Sequence, residues 1–304
     1  MPLDLTAIIL TYNEEIHIRR CIENVRRVAK EIFVIDSFSN DRTVEITKEY
    51  ENVQVLQNRW ENNYSRQFNW GLEHAPITTR WALRLDADEY LTDELVMELE
   101  QRVPGLAENQ TGVIFSRQTI FMGRRICRGM PTVRLIRLFR YGKAVCENRM
   151  MDEHMQLLEG EPVDFRGAFC DHNLHDIGWW TTKHNGYALR EAADLLNVEF
   201  GFFPASESVG LLNEQASAKR AKKSRYARMP LFWRAFAYFV YRYIVKLGFL
   251  EGAPGFMWHF LQGWWYRTLV DAKIYQIRRA CMDDQGKISK EKIIAYLKER
   301  GVSV

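Results

Sequence analysis

No CxxC pair occurs in this 304-residue chain, and its five cysteines (Cys21, Cys127, Cys146, Cys170, Cys281) are scattered and odd in number. That argues against a disulfide framework and against a cysteine-based zinc site. The chain also lacks a leader-like start. Its first apolar run, Ala7-Ile8-Ile9-Leu10, has no basic residues before it, is too short for a signal core and ends in polar residues. The expectation is a chain that stays in a reducing cytoplasm. Internal repeats and low-complexity tracts are missing as well. Between residues 215 and 250 acids are absent: nine Lys or Arg stand there without one Asp or Glu, although the whole chain carries only +3. A basic segment is therefore joined to a mildly acidic body.

What is present points to a folded enzyme-sized chain. Hydrophobic residues make up 47% and charged residues 27%, enough to bury a core and too apolar for disorder. The length suits one large domain, or one domain with an appendage. Nine Trp and thirteen Tyr are many for this length, and serve either stacking and interfacial contact or core packing.

Along the N-terminal third, strand and helix alternate. Residues 5–10 form a continuous apolar run, as in a strand buried on both faces. Ile18, Cys21, Ile22 and Val25 then repeat at helical spacing. A second buried strand is expected over 31–36, with Asp41 capping a helix over 42–50. Strands over 53–56 and 81–85 bracket a helix over 64–74, and Thr92 caps the next helix. Residues 112–121 and 132–140 read as further strands, 145–176 as irregular loops, 179–196 as a helix, and everything from about 205 onward as helical. Alternation of this kind implies a mostly parallel, twisted sheet flanked by helices, with ligands at the carboxyl ends of its strands. Polar residues stand at three such ends: Thr11-Tyr12-Asn13-Glu14, Asp36, and Asp86-Ala87-Asp88-Glu89. A bend at Ala87 lets both aspartates reach one hard cation, Mg²⁺ or Mn²⁺, of the kind that holds a diphosphate.

Three segments, TYNE after the first strand, VIDSFSNDRT around the second and LDADE after the fourth, resemble family 2 of the inverting glycosyltransferases, whose α/β fold is called GT-A. The similarity spans roughly residues 5–195. The stretches RLIRLFR (134–140), MDEH (151–154) and WWTTKHNGYALREA (179–192) are similar to the branch that builds bacterial lipopolysaccharide cores, capsules and exopolysaccharides. The resemblance implies a GT-A catalytic domain over 1–204 and a helical extension over 205–304. It further implies that Thr11 and Tyr12 line a nucleobase pocket with Tyr12 stacking, that Asp36 hydrogen-bonds the base, and that Glu14 approaches the ribose. Asp86 would contact the ribose or the metal shell and Asp88 would ligate the metal. A carboxylate accepting from a ring N–H favours a UDP-sugar donor. The base that activates the acceptor hydroxyl would be Glu153, with Asp152 the alternative. The QxxRW pattern of processive synthases is absent, so one sugar per encounter is expected.

Other residues stay open between two readings. His172 and His175 are spaced like ligands, yet equally suit hydrogen-bonded polar positions; His175 is kept as a phosphate contact. Lys183, His184 and Tyr187 can share one helix face, either toward a diphosphate or acceptor or simply toward solvent. Arg134, Arg137 and Arg140 either steer a phosphorylated substrate or form structural ion pairs. In the tail, Phe232, Phe236, Phe239, Val240, Tyr243 and Leu247 fall on one helical arc with Arg234, Arg242 and Lys246 beside it. Together with residues 219–228 and 256–267, that arc either lies in an anionic membrane surface or packs internally. No nucleic-acid motif is found. The rivals to a transferase are a nucleotidyltransferase, disfavoured by the acidic, glycine-free TYNEE loop, and a non-catalytic membrane-bound assembly protein with a degenerate donor fold.

Overall fold

Residues 2–148, 153–202 and 225–302 are described by the structure, a computed structural model. The described chain forms two compact units, one holding residues up to 125 and 132–174, the other 126–131, 175–202 and 225–302.

The first unit is built on a sheet. Its strands are β1 (Leu3–Thr11), β2 (Ala29–Asp36), β3 (Val53–Gln57), β4 (Trp81–Asp86), β5 (Glu89–Leu91), β6 (Gln110–Phe121), β7 (Arg124–Ile126), β8 (Val133–Arg140) and β11 (Glu161–Asp171). The order is β3-β2-β1-β4-β8-β6-β11-β5, with β7 on β6. The first four neighbours are parallel, as expected, whereas β8 runs antiparallel to β4 and β6, and β5 antiparallel to β11. The sheet is mixed, because β8 follows β6 through the short strand β7 with no crossover helix and so runs back antiparallel beside it. A small hairpin, β9 (Ala144–Cys146) with β10 (Met155–Leu157), completes the strands.

Continuous apolar runs become strands buried on both faces. Leu5, Ala7 and Ile9 pack into one cluster with Ile18, Cys21, Ile22 and Val25 of α1 (Ile18–Val25). Ile8 and Leu10 point the other way, toward Phe33, Ile35 and Phe68, the last on α3 (Tyr64–His74). Between them lies α2 (Thr43–Thr47), shorter than expected; Asp41 receives the Thr43 N–H rather than occupying the cap position itself. As expected, Thr92 caps α4 (Asp93–Arg102), accepting from the Leu95 N–H.

Much of the described part of 145–176 is regular. It contains the β9–β10 hairpin and the eleven-residue strand β11, whose Phe169 is wholly buried. A register shift between Asp164 and Ala168 interrupts its alternation, which is why the sequence pattern hides it.

The second unit is helical: α5 (Ile177–Phe200), α6 (Trp233–Val240), a π-helical turn (Tyr241–Val245), α7 (Gly252–Trp258), a second π segment (His259–Trp265), α8 (Tyr266–Ala280) and α9 (Lys290–Lys298). Asp176 caps α5 by accepting from the Trp179 N–H, and Gly201, with φ 59°, closes it. The expected division at 204 lies outside the described residues, but α5 groups with the C-terminal helices. Tyr266 and Arg267 of α8 both bond Glu191 of α5, at 2.9 and 2.8 Å.

The expected cationic arc of 232–247 needs correction. Arg234 is buried and held by Asp271 at 2.8 Å, and Arg242 is buried against Gln262. Only Lys246 of the three is exposed. The exposed apolar side chains there are Phe232, Phe236 and Leu247 of the expected arc, joined by Trp233, Ile244, Val245, Phe249 and Leu250.

Candidate functional site

Three strand ends meet at one edge of the sheet. Thr11 of β1 lies opposite Asp36 of β2, and Leu10 opposite Asp86 of β4. The Thr11 hydroxyl donates to Asp36 Oδ1 at 3.1 Å. Asp36 is fully buried and also accepts from the Ser39 N–H (2.9 Å), the Ser39 hydroxyl (2.5 Å) and Gln57 Nε2 (3.2 Å). All its lone-pair positions are thereby in use, so a base N–H would have to displace one donor, and the Gln57 amide at 3.2 Å is the longest bond of the set. Tyr12 is 58% exposed, as a stacking residue must be.

Glu14 turns back on its own loop. Its Oε2 receives His17 Nδ1 at 2.6 Å, while His17 Nε2 accepts from the Leu174 N–H at 2.8 Å. These partners fix one imidazole tautomer and leave Glu14 largely covered rather than projected at a ribose. His17 is fully buried and was not among the residues expected from sequence.

The acidic segment bends as anticipated. β4 ends at Asp86, Ala87 and Asp88 form a turn, and β5 starts at Glu89 on the far edge of the sheet. Glu89 Oε2 accepts the Asp86 N–H at 2.9 Å, closing the turn. Asp86 Oδ1 is buried without a hydrogen-bond partner in the protein. A buried anionic oxygen of that kind is costly alone, and a hard cation relieves the cost. Asp88 Oδ2 accepts from Asn173 at 3.0 Å, and its carbonyl is held by Arg20 and by the His172 N–H, each at 3.1 Å. Arg20 also reaches His172 Nδ1 and stands 5.0 Å from the centre of the Tyr90 ring. The donor set therefore fits Mg²⁺ or Mn²⁺: two carboxylates on one turn, one with a bare oxygen.

Glu89 is nearly buried and paired with Arg137 at 2.6 Å. Burial raises its carboxyl to about 8, opposed by Arg137 and reinforced by Asp86, Asp88 and Asp171. Arg137 thus serves the acid cluster as a structural counter-ion. Arg134 pairs with Asp164, and Arg140 bonds the carbonyls of Leu106, Ala107 and Gln110. All three arginines have structural partners, which sequence alone could not show because those partners lie far along the chain.

Glu153 stands beside buried Arg84, at 3.5 Å. Arg84 lies two residues before Asp86 on β4 and so shares its face. It also bonds Cys146 Sγ at 3.1 Å. Asp152 lies outside the described residues.

In the second unit, His175 stacks on Trp179 with ring centres 3.9 Å apart, and Lys183 lies 4.5 Å over the Trp179 ring and 5.9 Å over Tyr187. His184 is turned inward: it stacks on Trp180 at 3.5 Å and bonds the Trp180 carbonyl. Burial, with a smaller push from Lys183, lowers its imidazole to about 4. A neutral ring at pH 7 brings no charge to a phosphate.

A family model described as glycosyl transferase family 2 matches residues 6–160, which hold the three strand ends, the acid turn and Glu153. An uncharacterized glycosyltransferase of Rickettsia conorii is 24% identical over 98% of this chain and 96% of its own. The lipopolysaccharide core biosynthesis glycosyltransferase LpsC of Rhizobium meliloti is 30% identical over 46% of this chain and 52% of its own. The SPbeta prophage-derived glycosyltransferase SunS of Bacillus subtilis is 35% identical over 30% of this chain, a match spanning 21% of that protein.

Proposed function

The chain belongs to glycosyl transferase family 2 and is a glycosyltransferase; on that footing we propose that it is metal-dependent and inverting, moving one sugar from a nucleotide-sugar, with UDP favoured, onto a saccharide or lipid-linked acceptor. The observation that carries this reading is the bare, buried oxygen of Asp86 on a turn shared with Asp88, next to the Thr11–Asp36 strand ends.

In this reading the base stacks on Tyr12 and is hydrogen-bonded at Asp36, while Asp86 and Asp88 hold Mg²⁺ or Mn²⁺. When bound, that ion offsets the diphosphate charge that grows as the sugar departs. Glu153 accepts the proton of the acceptor hydroxyl as its oxygen bonds the anomeric carbon and the bond to the diphosphate breaks. Arg84, at 3.5 Å, gives Glu153 a fixed cationic neighbour. Within the second unit, Lys183 with Tyr187 and His175 offers a cation and aromatic faces suited to an anionic or saccharide ligand.

The relative LpsC supports placing the acceptor in lipopolysaccharide-type cell-surface synthesis. Among the described residues no helix is long and apolar enough to cross a membrane. The exposed set Trp233, Ile244, Val245, Phe249 and Leu250, with Lys246, instead suits shallow contact with an anionic leaflet. The cations at 219–223 that would add to it lie outside the described residues.

A screen of nucleotide-sugars with Mn²⁺, read by nucleotide release and by thermal shift, tests the catalytic reading. A UDP-sugar that raises the melting temperature only with the ion present supports it. No response to any donor would leave the assembly-protein rival in its place.

A further inference from the structure

Two neighbouring strand ends turn through left-handed backbone: Asn13 after β1 (φ 57°) and Phe38 after β2 (φ 60°). Asparagine tolerates this region because its short amide bonds locally, and Asn13 Oδ1 does accept the Asn40 N–H at 2.9 Å. Phe38 has no such compensation. Its Cβ crowds the backbone, it has no polar group, and its ring is 56% exposed, so packing in the unliganded protein does not offset the strain.

The turn around Phe38 is nevertheless held firmly. The Ser37 N–H donates to the Thr11 carbonyl at 2.9 Å, the Ser39 N–H to Asp36 Oδ2 at 2.9 Å, and Ser39 Oγ accepts the Asn13 N–H at 2.9 Å. Because Thr11 and Asp36 are in register, Tyr12 and Phe38 leave adjacent strands at the same carboxyl edge. Two large exposed aromatic rings thus follow the Thr11–Asp36 pair, one and two residues beyond it on adjacent strands.

We propose that Phe38 is a second aromatic contact for the nucleobase, acting with Tyr12. The strain persists because it is repaid only in the complex, where the ring gains a planar partner. An aromatic face accepts any base, so choice among bases falls to Asp36 and Gln57. This inference rests on the nucleotide-sugar reading above.

Calorimetric titration with UDP and, separately, with inorganic pyrophosphate, both in Mn²⁺, tests it on wild type, Phe38→Asn and Phe38→Tyr. Asn admits the left-handed turn, so Phe38→Asn should melt at or above wild type. Its UDP dissociation constant should rise roughly 5- to 100-fold, the span of one base–aromatic stack, with pyrophosphate binding unchanged and Phe38→Tyr close to wild type. Unchanged UDP affinity in Phe38→Asn, or equal weakening of UDP and pyrophosphate, would overturn the assignment of Phe38 alone. Wild type that binds pyrophosphate but none of UDP, CDP, GDP and ADP would overturn the nucleotide reading, and this inference with it.

Discussion

Glu153 and Arg84 show how single side chains share a task across distance in sequence. Arg84 is buried on β4 and its charge must be met; Glu153, sixty-nine residues on, meets it at 3.5 Å. Glu153→Gln keeps the side chain's size and removes the proposed proton acceptor. Turnover should fall by ~10²-fold or more with donor binding retained, measured by transfer rate and donor titration on the same preparation. Near-normal turnover would take the role from Glu153 and leave Asp152 to be tested. The acid turn was legible because Asp86, Asp88 and Glu89 are contiguous. Arg20 and His17 were not: their roles depend on the Asp88 carbonyl and the Leu174 N–H, backbone atoms that carry no residue signature.

Among elements, β11 and α4 approach closely. A Cβ on Gly167 would lie 2.5 Å from Leu95 Cα, and the Gly167 N–H donates to Glu98 at 2.8 Å. Gly167→Ala should cost about 1–3 kcal/mol through forced separation of strand and helix, read from denaturant unfolding; wild-type stability would show that the packing yields freely. That glycine and the adjoining register shift are also why β11 escaped a reading based on alternation. β1, β2 and β4 were legible because their runs are apolar without interruption. On α5, His184 titrates near 6.5 when unfolded and near 4 when folded. The unfolded state therefore binds more protons between those values, and stability falls as pH drops through that window. The melting temperature should decline from pH 6.5 to 4, and His184→Gln should flatten part of that decline. An identical slope in the variant would mean the ring is not desolvated.

For the whole molecule, the C-terminal helices were legible as helices but not in their facing. A single helical wheel over 232–247 assumes an unbroken α-helix. The π-helical turn at Tyr241–Val245 changes the residues per turn and moves the arcs, and the ion pair of Arg234 with Asp271 draws a cation inward. The exposed apolar set that results is tested by flotation on vesicles containing phosphatidylglycerol. Ile244→Glu with Val245→Glu should abolish flotation while donor turnover on a soluble acceptor persists. Equal flotation of variant and wild type would assign those side chains another partner.

The central claim is that the turn at 86–88 grips a divalent cation together with a nucleotide diphosphate. Electron paramagnetic resonance of Mn²⁺, titrated with protein and UDP, reads that ternary complex directly through loss of the free-ion signal. Tight, UDP-dependent loss is expected for wild type and none for Asp88→Asn at the same concentrations. A free Mn²⁺ signal in wild type as large as in the variant would contradict it.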